Sequence, residues 1–195
     1  MYHLHRLIKN GCVVKADDGA YRLGLNGLRY VHSVNNGNLM PYLEPKLIAI
    51  IVLFDSRGEV LLACRHKNPY INRYLFTGGR QHLGETPEAH AERELHEKTG
   101  LSNIELQHRG LVDTRIRNPE GELITHVVGH VYTGLYDGQA PEDNEYWSFS
   151  WHDSDDLLGK RIPLLPGTAE LYAALRDHAS EKFFLSNDFE FDEAK

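Results

Sequence analysis

Residues 79–101 constrain the fold of this chain more than any other stretch. GRQHLGETPEAHAERELHEKTGL is a glycine loop, an acidic helix start and a carboxylate-lined helix that stops at a glycine. Thr86 is a good N-cap, and Pro87 suits the first helical position, where its missing N–H costs nothing. Glu88 and Glu92 lie near the positive end of the helix dipole, and Gly100 suits the left-handed conformation that closes a helix. The spacing predicts a helix over about 87–98. Ala91 and Leu95, four apart, share a side that should face a core, while His90, Glu94 and Glu97 form a second stripe. Acidic groups on a short helix are ordinarily a solvated face. The preceding Thr77-Gly78-Gly79-Arg80 changes that reading, because paired glycines let backbone groups approach a bound ion or phosphate closely. Oxygen ligands of this kind suit Mg²⁺ or Mn²⁺, which bind a few carboxylates together with substrate phosphates and water.

The segment resembles the Nudix box of the Nudix hydrolases, G-x5-E-x7-R-E-U-x-E-E-x-G-U with U aliphatic. Gly79, Glu85, Arg93, Glu94, Leu95, Glu97, Gly100 and Leu101 match, and Lys98 stands where the family has its last glutamate. The resemblance implies an α/β fold, the α/β/α sandwich of that family. It also implies hydrolysis of a nucleoside diphosphate linked to another moiety, by water attack on phosphorus. It assigns Glu94, Glu97 and a carbonyl of the glycine loop, Gly78, as ligands of Mg²⁺ or Mn²⁺. The metal would withdraw charge from the phosphate oxygens and lower the pKa of the attacking water. Arg93 would brace the loop through Glu85, both standing behind the site. A late acid often completes such sites, and Glu145 is the first candidate for that catalytic base, Glu142 the second. Arg65 and Arg80 are candidates for substrate phosphate, since guanidinium groups favour bidentate phosphate contacts.

Lys98 divides the functional reading. Glu94 and Lys98 are an i, i+4 pair with the acid N-terminal, the better orientation for a helical ion pair. Either Lys98 turns to solvent and the other carboxylates hold metal, or its ammonium lies among Glu94 and Glu97 and replaces metal charge. The first leaves a pyrophosphohydrolase. The second leaves a non-hydrolysing, nucleotide-sensing domain of a winged-helix transcriptional regulator.

The rest of the chain frames the box. Lys46–Phe54 is a β-branched apolar run expected of a strand buried on both faces. Ser56-Arg57-Gly58 turns it into a hairpin with Glu59–Cys64. Two long strands are expected at 107–116 and 122–136, a further strand at 146–151, a short helix at Asp155–Leu158, and a last helix to about Ala179. These elements place the Nudix domain at 46–180, followed by an acidic mobile tail at 181–195.

Before it, Tyr2–Asn10 reads as a helix, and Cys12–Lys15 and Tyr21–Leu25 as a hairpin around Asp17-Asp18-Gly19. Together with 26–31 this resembles the last part of a winged-helix module over 1–33, joined by a turn-rich linker at 34–45. The same segment also reads as a helix and hairpin that packs on the catalytic domain or makes a homodimer contact, and this is the reading preferred for this chain. Its acidic wing tip and the net charge of −7 argue against specific DNA binding by this chain. No apolar run reaches membrane-spanning length, and no signal-peptide core opens the chain. Cys12 and Cys64 sit in apolar surroundings and read as buried free thiols of a cytoplasmic protein.

Overall fold

The computed structural model describes residues 2–27, 30, 44–67, 70–159, 161–178 and 181–191. The chain divides into two compact units, Met1–Glu44 and Pro45–Lys195. The first holds helix α1 (Tyr2–Lys9) and an antiparallel hairpin of β1 (Val13–Lys15) and β2 (Tyr21–Leu23). Asp18 shapes the hairpin turn. Its carboxylate accepts the Ala20 N–H at 3.0 Å and the Arg22 guanidinium at 2.6 Å. Cys12 is half-buried rather than buried, whereas Cys64 is buried. The linker expected at 34–45 lies outside the described residues, apart from Glu44 and Pro45.

The second unit is built around β3 (Lys46–Phe54), whose alternate residues feed two cores. Ala49, Ile51 and Leu53 are buried with Ala91 and Leu95 of α2 (Pro87–Thr99), the box helix. Val52 is buried with Leu157 of α3 (Ser154–Leu158) and with Leu171, Tyr172 and Leu175 of α4 (Thr168–Asp177). Helices thus cover both faces of one mixed sheet, the α/β/α arrangement. In that sheet β3 runs parallel to β8 (Leu123–Leu135), which forms an antiparallel hairpin with β7 (Gln107–Arg117). The hairpin strands fall within a residue of where the alternation places them. Among the described residues, no helix is long and apolar enough to cross a membrane.

Two expectations are corrected. The strand β4 (Val60–Arg65) meets β3 at the single pair Phe54↔Val60 and is not its hairpin partner along its length. The edge of β3 that such a partner would occupy is taken by the glycine strand β6 (Thr77–Arg80), from Ile48↔Arg80 to Ile51↔Thr77. Instead β4 pairs from end to end with β9 (Trp147–His152), and at its far side with β5 (Tyr74–Leu75).

The mobile tail expected at 181–195 is also overturned. Phe183–Glu190 forms β10, parallel to β7 from Phe183↔Gly110 to Glu190↔Arg117. The polar residues that suggested mobility have partners on β7: Arg115 donates to Ser186 Oγ at 2.8 Å, and Arg117 to Asp188 Oδ1 at 3.0 Å. Phe183 and Phe191 are buried. Residues 192–195 lie outside the described set.

Candidate active site

The box helix forms where its local signals put it. Thr86 Oγ1 accepts the Ala89 N–H at 3.2 Å, Pro87 opens the helix, and Gly100 at φ 71° closes it with its N–H on the His96 carbonyl. Burial of Ala91 and Leu95 fixes the rotation of the helix, which turns Glu94 toward β6. The two glycines of β6 are then required by packing. A β-carbon at Gly78 would overlap the Ala49 carbonyl, and one at Gly79 would overlap the Glu94 carboxylate.

Arg93 organises the charges. Its Nε and Nη2 hold both oxygens of Glu85, the latter at 3.0 Å. Nη1 donates to Glu94 Oε1 at 2.9 Å and to Glu97 Oε2 at 3.0 Å, and Nη2 reaches the Arg80 carbonyl at 3.1 Å. The Arg93 guanidinium holds the Glu85 carboxyl down to about 2, helped by the His82 N–H. In return the carboxylates raise the pKa of Arg93.

The other oxygen of buried Glu94 faces Lys98, with Nζ to Oε2 at 3.1 Å. The Lys98 side chain is 23% exposed, so it does not turn out into solvent. Burial pushes its ammonium below the usual lysine range, and the Glu94 carboxylate opposes that in part. Two more cations lie nearby at the paired ends of β4 and β9. Lys98 Nζ is 5.4 Å and Arg65 Cζ 5.3 Å from the Trp147 ring centre, and Lys67 Nζ is 3.9 Å from that of Tyr146. Aromatic faces attract cations electrostatically.

His90 makes a second internal tie. The ring is fully buried, and its Nε2–H donates to the Gly79 carbonyl at 2.9 Å. Burial lowers its pKa, and Nδ1 has no hydrogen-bond partner among the described residues.

The donor set does not fit the metal that the box resemblance implies. Both oxygens of Glu94 are bound by cations of the chain, and the Gly79 carbonyl receives His90. Glu97 is half-exposed and tied to Arg93. Among the described residues, no group of three or more His, Cys, Asp or Glu side chains is placed to hold a metal ion by itself. Arg93 brings Glu94 and Glu97 together, and with Lys98 it already occupies the oxygens that these two would offer a metal.

The remaining candidates are spread more widely. Glu85 and Arg93 stand behind Glu94 and Glu97 as a brace. Arg80 ends β6 exposed, and Arg65 ends β4 with Nε on the Lys67 carbonyl at 2.9 Å. Glu145 and Glu142 are exposed in the loop before β9, and no hydrogen bond or ion pair joins either to the box helix among the described residues. The acid of that loop with a defined backbone role is Asp143, which accepts the Phe149 N–H at 3.0 Å. Lys67, Tyr146 and Trp147 were not singled out from sequence. Nothing local marks them, since they meet only through the β4–β9 register.

On the opposite face of β3 lies a cavity of about 220 Å³. Ile48, Ile50, Val112, Val127 and Leu171 are among the residues of its wall, and so are Gly78 and Gly79. Asn187 also lines it, with a buried Nδ2 that has no hydrogen-bond partner among the described residues. The glycine strand is thus shared between this cavity and the charged cluster.

Comparison with known proteins bears on the fold and the family. The chain is 38% identical over 113 residues to an isopentenyl-diphosphate Delta-isomerase from Serratia proteamaculans, covering 55% of this chain and 61% of that protein. It is 31% identical over 86 residues to an ADP-ribose pyrophosphatase from Methanocaldococcus jannaschii, covering 44% of this chain and 50% of that one. The chain therefore spans about half to three-fifths of the length of these curated relatives. Its fold is that of the NUDIX domain of Shewanella oneidensis NrtR, crystallised with ADP ribose. The TM-score is 0.59 at 22% identity, over 78% of this chain and 98% of that one. The family model for the NUDIX domain matches residues 44–175. With the box, the sandwich and the family model in agreement, the chain belongs to the Nudix hydrolase family.

Proposed function

We propose that this chain binds a nucleoside diphosphate joined to a second moiety and cleaves its pyrophosphate. The observation that carries the reading is the convergence of Lys98, Arg65 and Lys67 beside a box whose carboxylates are positioned by Arg93. Three cations against aromatic faces suit the oxygens of a diphosphate, and Arg80 stands at the exposed end of the glycine strand. In the reaction, water attacks one phosphorus and the bridging P–O bond breaks, giving two monophosphates. Glu97, the half-exposed carboxylate of the box, takes the proton from the water, and Glu145 is the second candidate for that role. The cations stabilise the negative charge that builds on the phosphoryl oxygens. The organic part of the substrate would occupy the apolar cavity that shares Gly78 and Gly79 with the box.

Nudix hydrolases generally use divalent metal ions, and Mg²⁺ or Mn²⁺ would supply further polarisation of the phosphate and water. The donors here do not form its site, so no step is assigned to it.

A second reading is favoured by the Glu94–Lys98 pair: a non-hydrolysing domain that senses the same ligand. The test is a panel of ADP-ribose, nucleoside triphosphates and isopentenyl diphosphate, each with Mg²⁺, with Mn²⁺ and with chelator. Phosphate release and product masses are the readouts. The last compound enters because a relative is named for it and because the cavity wall is apolar. Turnover that falls about 100-fold or more in Glu97→Gln, with an unchanged melting temperature, supports hydrolysis. Saturable binding without turnover moves the assignment to the sensor, and neither binding nor turnover sinks both.

A further inference from the structure

The box of this chain contains side chains where a divalent ion would act. A metal at such a box would tie the glycine strand to the helix and balance the charge of the buried glutamate. Here the first task falls to His90, whose ring bridges from the helix to the Gly79 carbonyl. The second falls to Lys98, whose ammonium lies 3.1 Å from Glu94 Oε2 while Arg93 holds Oε1.

Lys98 is also the cation of the Arg65, Lys67 and Lys98 cluster in direct contact with a box carboxylate, and like Arg65 it lies against the Trp147 ring. We propose that Lys98 and His90 replace the divalent ion at this box, so that the site binds a diphosphate group without metal. The inference rests on the diphosphate reading above and adds the nature of its counter-charge.

The probe is inorganic pyrophosphate, with ADP-ribose as the larger ligand, titrated calorimetrically into the full chain in chelator and again in Mg²⁺. The dissociation constants should agree within about twofold. A Mn²⁺ titration followed by electron paramagnetic resonance should show no stoichiometric site in the parent. Lys98→Glu should create one, since it adds an anionic ligand and removes the cation that occupies Glu94. Lys98→Gln should weaken pyrophosphate binding in chelator by about tenfold or more, because one of the charges facing the phosphate is lost.

The parent titrations stand even if a variant fails to fold. Pyrophosphate binding confined to the Mg²⁺ arm, or a stoichiometric Mn²⁺ site in the parent, overturns the inference alone. Absence of binding in both arms sinks the diphosphate reading and this inference with it.

Discussion

The two faces of β3 are covered in opposite ways. On one, the box helix brings the buried carboxylate of Glu94 against the sheet, and both of its oxygens are answered by cations of the same chain. Arg93 alone serves Glu85, Glu94, Glu97 and the Arg80 carbonyl. On the other, α4 packs through Leu171, Tyr172 and Leu175 and leaves an apolar cavity beside the glycine strand. The charged face is specified by geometry, since a buried carboxylate without its partner costs far more than a missing methyl. The apolar face tolerates empty space, and so can admit a ligand. A single strand, β6, borders both.

The comparison breaks most readily at Arg93. Arg93→Ala should destabilise the unit by about 3–5 kcal/mol, because Glu94 stays buried with one of its two cations gone. Chemical denaturation measures this, and a loss under about 1 kcal/mol would mean that Lys98 alone balances the face. On the apolar side, Leu171→Ala should cost about 2–4 kcal/mol from lost burial and the added void. If it costs as much as Arg93→Ala, the faces do not differ as argued.

Val127→Phe puts a larger side chain into the cavity. It should change stability by less than about 1.5 kcal/mol, yet raise KM about tenfold with kcat little changed. An unchanged KM would move the organic moiety of the substrate elsewhere.

The smallest effect expected is in acid. Glu85 titrates near 2 in the folded chain against an ordinary 4.5, because Arg93 holds its charged form. A depressed folded pKa contributes stability that is present above about 4.5 and lost as pH falls toward 2. The denaturation midpoint of the parent should therefore fall faster over that window than that of Glu85→Gln. Parallel curves would show that the pair contributes nothing to folding.

How much was legible depended on where the partner of each residue lies along the chain. The helix from Thr86 to Gly100, with its cap, its proline and its closing glycine, is written in consecutive residues, and so is the brace from Arg93 to Glu85, eight positions apart. The fate of Lys98 was open in sequence, because i, i+4 spacing to Glu94 allows an exposed pair as well as a buried one. Burial beside Trp147, nearly fifty residues on, decided it. The hairpin expected of β3 and β4 failed for a related reason. The edge of β3 was claimed by β6, and no local pattern reports such competition.

The sequence by itself determined the box, its helix and the alternation that makes β7 and β8, because these rest on backbone capping and on periodicity within a few turns or strand lengths. Only the tertiary structure decided that 183–190 is a strand, paired with β7 some seventy residues away. It alone gathered Arg65, Lys67, Tyr146 and Trp147 around Lys98, since strand register between distant segments is set by burial of both partners and leaves no trace in either segment read alone.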